Sequence, residues 1–134
     1  MDVKVLRVRD VMQKEVKTVS RNVDLTEAVN MMRDNNLSSL IVEPDDDADT
    51  FGIITRKDLI GYLIESTISE TSDLVEDVMT KPAITVNMEL SIYNCHQLMR
   101  MVGARRLPVT NGSTLGGIIS NSDIFEKLTE GIPG

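Results

Sequence analysis

The chain has 134 residues, 41% of them hydrophobic and 26% charged, with a formal net charge of −7; that length fits one compact domain or two small halves sharing a core. The acidic balance argues against a nucleic-acid binder, which needs a basic face to displace counterions, and against docking on an anionic membrane. No apolar run approaches the ~20 residues of a membrane span, residues 1–10 do not read as a signal peptide, and the single cysteine, Cys95, has no internal partner, so a cytoplasmic, reducing location is expected.

In chain order, a short helical turn ends in Asp10-Val11-Met12 and leads to a short strand, Lys17-Thr18-Val19. Asp24 is a good N-cap for an amphipathic helix in which Leu25, Ala28, Val29 and Met32 recur at helical spacing. A strand at Leu40-Ile41-Val42, an acidic connection from Asp45 to Asp49 and a strand at residues 51–54 read as a hairpin. A helix over 56–65 follows, and the Ser/Thr-rich stretch 66–72 reads as a link. The second half uses the same order. Asp77-Val78-Met79 and Ile84-Thr85-Val86 come first. Ser91 then caps a helix carrying Ile92, Cys95, His96 and Met99. The strands Leu107-Pro108-Val109 and 115–119 are joined through Asn111-Gly112, a hairpin signal, and a helix closes over 121–129.

The two halves are copies. A shift of 67 residues (77 − 10) gives ten identities over the 33 positions from Asp10 to Val42, which indicates duplication. The shift falls to 65 (117 − 52) at a repeated phrase, Gly52-Ile-Ile-Thr-Arg-Lys-Asp58 and Gly117-Ile-Ile-Ser-Asn-Ser-Asp123; the difference sits in the acidic loop, where length changes are tolerated. Repeat 1 is assigned to residues 1–66, the linker to 67–72 and repeat 2 to 73–134. Thr55-x-x-Asp58 and Ser120-x-x-Asp123 are capping-box patterns. A helix N-terminus also offers free N–H groups and a positive dipole end to an anion, so both uses stay open.

The order β-α-β-β-α, the opening Asp77-Val78-Met79-Thr80-Lys81-Pro82, the strand Arg105-Arg106-Leu107-Pro108-Val109 and the twice-written closing phrase together resemble the CBS domain, and the duplication resembles a CBS pair, or Bateman module. The resemblance runs from about Arg7 to Leu128, and a stand-alone pair with no attached enzyme or channel is expected. It implies an α+β fold of two β-α-β-β-α repeats related by a pseudo-twofold axis, with their sheets packed together. It further implies a regulatory, energy-sensing module that binds AMP, ADP, ATP or S-adenosylmethionine in the cleft between repeats, dimerises through its long helices and signals to an unidentified protein.

Carried over by the resemblance, Asp58 and Asp123 hold ribose hydroxyls, Thr55 and Ser120 lie on the phosphate side, and Thr18 and Thr85 lie beside the base. Leu107 and Pro108 wall the base, and Arg105 or Arg106 reaches phosphate. Adjacent strand residues point to opposite faces, so at most one of that pair faces a ligand. Repeat 1 departs from this pattern: Ser38-Ser39 stands where repeat 2 has the Arg pair, Ile41 replaces Pro108, and Glu15 replaces Pro82. The site of repeat 2 is therefore favoured. Thr18, Ser39, Thr55, Arg56 and Asp58 form the second, with Arg56 and Lys57 as its cations.

Other candidates read as structure. Asp45 to Asp49 lacks the spaced ligands of a calcium loop and reads as a solvated tip. Cys95 and His96 have no second Cys or His to complete a zinc site, and with one His no nucleophile–base set can be built, so no enzymatic role is expected. Met31, Met32, Met99 and Met101 sit on the equivalent long helices, where methionine serves a core or a partner helix. The rival reading is a ligandless dimerisation or docking module in which the T-x-x-D boxes only cap helices.

Overall fold

A computed structural model describes residues 5–65 and 73–133; the assigned linker, 67–72, lies outside the described residues. The described residues form two α+β units, each with one three-stranded sheet, two α-helices and a short 3-10 turn. In one, β1 (Thr18–Val19), α1 (Leu25–Asp34), β2 (Ser39–Val42), β3 (Gly52–Thr55) and α2 (Arg56–Glu65) follow in order. In the other, β4 (Val86–Asn87), α3 (Ile92–Val102), β5 (Arg106–Asn111), β6 (Thr114–Ser120) and α4 (Asn121–Thr129) repeat that order. The first strand of each unit pairs parallel with the second, as a helix crossover permits, and the last two strands pair antiparallel.

Local sequence explains the long helices. The Asp24 carboxylate accepts the Thr26 N–H at 2.8 Å and the Ser91 hydroxyl accepts the Asn94 N–H at 3.1 Å, each satisfying one of the free donors at a helix start. Leu25, Ala28 and Met32 are buried from α1, and Ile92, Cys95 and Met99 from α3. Burying each large side chain contributes about 1.5–3 kcal/mol. The chain leaves these helices through left-handed residues 67 positions apart, Asn36 (φ 52°) and Gly103 (φ 69°). Asn and Gly are the residues that tolerate that conformation. The hairpin loop of the second unit is Gly112-Ser113, with Gly112 at φ 66° and Asn111 still paired to Thr114. Asn111 is thus the last strand residue rather than part of the turn.

The compact units are not the sequence repeats. Residues 17–83 form one unit, and residues 1–16 with 84–134 form the other. Each D-V-M segment therefore packs on the sheet of the opposite repeat. Val8 N–H donates to Leu90 C=O and Gln13 exchanges two backbone bonds with Ile118; in the other unit Val75 N–H donates to Val23 C=O and Thr80 exchanges two with Ile53. Val8 joins the core of α3, β5 and α4, while Val75 joins that of α1, β2 and α2. The Asp of each D-V-M closes its own 3-10 turn, accepting the backbone N–H of Arg7 or Leu74 at 2.8 Å.

This exchange explains the glycine of the repeated phrase. A Cβ on Gly117 would lie 2.2 Å from the Gln13 carbonyl oxygen, and one on Gly52 would lie 3.2 Å from the Thr80 carbonyl oxygen. Glycine lets the crossing segment lie directly on the strand.

Candidate functional site

Each closing phrase runs off the end of a strand into a helix. Ser120 ends β6 and is the N-cap of α4, and its partner across the sheet is Arg106, the first residue of β5. Asp123 Oδ2 accepts the Ser120 N–H at 3.0 Å and the Ser120 hydroxyl at 2.8 Å, while the Asp123 N–H donates to Ser120 Oγ at 3.2 Å. The first unit repeats this: Asp58 Oδ2 accepts the Thr55 N–H and the Thr55 hydroxyl, each at 2.9 Å, and the Asp58 N–H donates to Thr55 Oγ1 at 3.2 Å. Both boxes are closed through Oδ2, which leaves Oδ1 of each aspartate to face other partners. All four residues are half-buried, which keeps the carboxylates reachable.

The second oxygens differ. Gln13 Nε2 donates to Asp123 Oδ1 at 2.9 Å, and Gln13 itself is exposed. Asp58 Oδ1 accepts no hydrogen bond among the described residues. The residue equivalent to Gln13 is Thr80 (13 + 67), which makes the same backbone bridges but has no amide to extend.

Around Asp123, Arg105 is exposed and its carbonyl accepts the Asn121 N–H at 2.9 Å, tying the start of β5 to the start of α4. Arg106 is half-buried and shares its strand face with Pro108. Leu107 lies on the opposite face, inside the hydrophobic core with Val109 and Ile119. Leu107, expected from the resemblance to wall the base, packs in the core, while Pro108 lies on the face it shares with Arg106. Thr85 is half-buried just before β4.

In the first unit, Ser39 opens β2 opposite Thr55. Arg56, expected as a cation for this site, hydrogen-bonds through its guanidinium to the α1–β2 turn. Its Nε donates to Leu37 C=O at 3.1 Å and its NH2 group to Asn36 at 3.0 Å. Lys57 is exposed. Thr18 donates its hydroxyl to Glu43 at 2.7 Å, a carboxylate standing where the other repeat has Thr110.

Gln13 and Glu43 were not among the sequence candidates. Gln13 meets Asp123 across 110 residues, so no local motif announces it; only the mismatch Gln13/Thr80 within an otherwise shared D-V-M-x-K marks the position.

The acidic loop is exposed from Asp45 to Ala48, as expected of a solvated tip, and ion pairs anchor its two ends. Lys81 Nζ lies 2.6 Å from Asp49, and Arg21 lies 2.6 Å from Asp45. Hydrogen bonding from Lys81, with backbone N–H groups of Asp45 and Thr50, lowers the Asp49 pKa to about 2. No group of three or more metal-ligating side chains occurs among the described residues. Likewise, none of the described helices is long and apolar enough to cross a membrane. Cys95 is fully buried, which pushes its thiol up to about 11.

A groove of about 510 Å³ runs along α3 and α4, lined by Ile92, Tyr93, His96, Asn121, Ile124, Phe125 and Leu128. Met32 and Met99 are core residues, Met31 is half-buried, and Met101 is 80% exposed.

Comparisons with known proteins fit this arrangement. The family model for the CBS domain matches residues 8–65 and again 75–130. The chain is similar to the uncharacterized protein MJ1404 of Methanocaldococcus jannaschii, at 26% identity over 92% of this chain, but it spans only 32% of that protein. Among solved structures it resembles a hexameric CBS-CP12 protein from bloom-forming cyanobacteria, with a TM-score of 0.85 and 35% identity, covering 92% of this chain and 68% of that one. It also shares its fold with CBSX2 solved in complex with AMP, with a TM-score of 0.77 and 23% identity, covering 93% of this chain and 97% of that one. Two family matches that together take in most of the chain, and the β-α-β-β-α order found in both halves, show that the chain belongs to the CBS domain family, as a tandem pair.

Proposed function

We propose that this CBS pair is a regulatory module that binds an adenosyl ligand at its closing phrases and transmits occupancy to a partner protein. The observation that carries the reading is the duplicated Ser/Thr–Asp box, closed through Oδ2 in both copies, with Oδ1 turned to other partners: a Gln13 amide at Asp123 and no donor among the described residues at Asp58. A vicinal diol needs such an acceptor, and the adjoining helix N-terminus supplies N–H groups and dipole for a phosphate. Arg105 or Arg106 adds a guanidinium beside the second box, suited to phosphate oxygens. AMP is the first ligand to test, because a protein of the same fold was solved with it; ADP, ATP and S-adenosylmethionine follow by chemistry. The role is regulatory rather than catalytic, and a cytoplasmic site of action fits the net charge of −7 and the buried lone cysteine.

The module works as a homodimer in this proposal. A second copy covers the α3–α4 groove, whose exposed Tyr93, Phe125 and Leu128 give apolar area to bury. A hexameric neighbour accords with self-association in this fold. Light scattering after gel filtration is expected to return twice the chain mass, and a monomer contradicts the claim.

A thermal-shift panel of AMP, ADP, ATP and S-adenosylmethionine tests ligand binding. A ligand at 100 times its dissociation constant adds about 2.7 kcal/mol of stability. No shift at millimolar concentrations favours the second reading, a ligandless docking module. That reading has its own support, since both boxes are complete helix caps without any ligand.

A further inference from the structure

We infer that Gln13 is a specificity-determining residue: its amide occupies the outward oxygen of Asp123 and has to be displaced before a ribose diol can chelate that carboxylate. The inference rests on the adenosyl-binding reading and adds to it a difference between the two boxes. An ionised carboxylate has about four lone-pair positions. At Asp123, the Ser120 N–H and hydroxyl take two on Oδ2, and Gln13 takes one on Oδ1. At Asp58 the Thr55 N–H and hydroxyl take two on Oδ2, and both positions on Oδ1 remain among the described residues. A diol brings two O–H donors. Asp58 accepts both at once, whereas Asp123 accepts both only when Gln13 withdraws.

The orientation of the amide follows from chemistry, since only its NH2 end can face a carboxylate. Its position follows from the fold, because the backbone of Gln13 is pinned by two hydrogen bonds to Ile118 directly over Gly117. The side chain is exposed and free to swing away; the backbone is not. Gln13 is therefore a latch on one box with no counterpart on the other, where Thr80 holds the equivalent place.

The test isolates the Asp123 box in an Asp58→Asn background and compares Gln13 with Gln13→Thr, which copies Thr80. Calorimetric titration with AMP is expected to show about tenfold tighter binding in Gln13→Thr, the scale of one charge-assisted hydrogen bond released. With 2′-deoxy-AMP, which lacks the diol, the gain is expected to fall below about twofold by the same reasoning. Gln13→Ala serves as a second variant, and the melting temperature without ligand checks that each protein is folded. Unchanged or weaker AMP binding in Gln13→Thr, or an equal gain with 2′-deoxy-AMP, overturns the latch and leaves the adenosyl reading standing. Failure of AMP to bind the unmodified chain and all variants overturns the adenosyl reading and the latch with it.

Discussion

Cys95 and Asp49 make single-residue claims that need no ligand. Cys95 lies in the core with its thiol raised to about 11 by burial, so very little thiolate forms at neutral pH and no reagent reaches it. Ellman's reagent is expected to react with it only in denaturant; stoichiometric labelling of the native protein contradicts that placement. Asp49 is held to about 2, against an ordinary 3.8, chiefly by its hydrogen bond to Lys81. Because the folded-state value lies below the ordinary one, the pair stabilises the fold above about pH 4 and that contribution disappears as pH falls towards 2. Urea melts across that window are expected to show a smaller pH-dependent loss in Asp49→Asn than in the unmodified chain. Parallel curves would mean that the ion pair does not stabilise the loop.

At the scale of elements, the D-V-M segments and the glycines of the closing phrases form one device. Gly117→Ala sets a Cβ 2.2 Å from a backbone oxygen, whereas Gly52→Ala sets one at 3.2 Å from Met79 sulfur and the Thr80 oxygen. Overpacking of this kind costs about 1–3 kcal/mol, and Gly117→Ala is expected to be the more damaging in chemical denaturation. Equal or reversed losses contradict the crossing geometry. Ser120→Ala removes the N-cap hydroxyl of α4 and is expected to cost about 0.5–2 kcal/mol. The starts of the helices at 56–65 and 121–129 were legible because a capping-box pattern opens each of them. Both caps of the long helices were legible from their residue types. The crossing was not legible: an internal alignment groups each D-V-M with the repeat that follows it in sequence, while pairing over 105 residues, as between Gln13 and Ile118, leaves no periodic trace. The Gln13–Asp123 bond and the Arg56 bonds to the α1–β2 turn were not legible for that same reason. Both depend on which segments meet in space.

For the whole molecule, the central consequence of duplication is two boxes of one design with unequal surroundings. Ser120 and Asp123 have Arg105, Arg106 and Pro108 nearby in sequence or strand register, together with the Gln13 amide. Asp58 has an Oδ1 that accepts no hydrogen bond among the described residues, and Thr18 in the same sheet donates to Glu43, just past β2. A module of this kind converts ligand binding into a signal only when the ligand favours one arrangement of the protein over another, so the presence of binding comes first. Calorimetric titration of AMP into the unmodified chain and into the double variant Asp58→Asn, Asp123→Asn tests it most directly. Saturable binding to the unmodified chain, weakened at least about tenfold in a folded double variant through loss of both charged acceptors, is the predicted result. Absence of AMP binding, or equal affinity in the two proteins, would contradict the account.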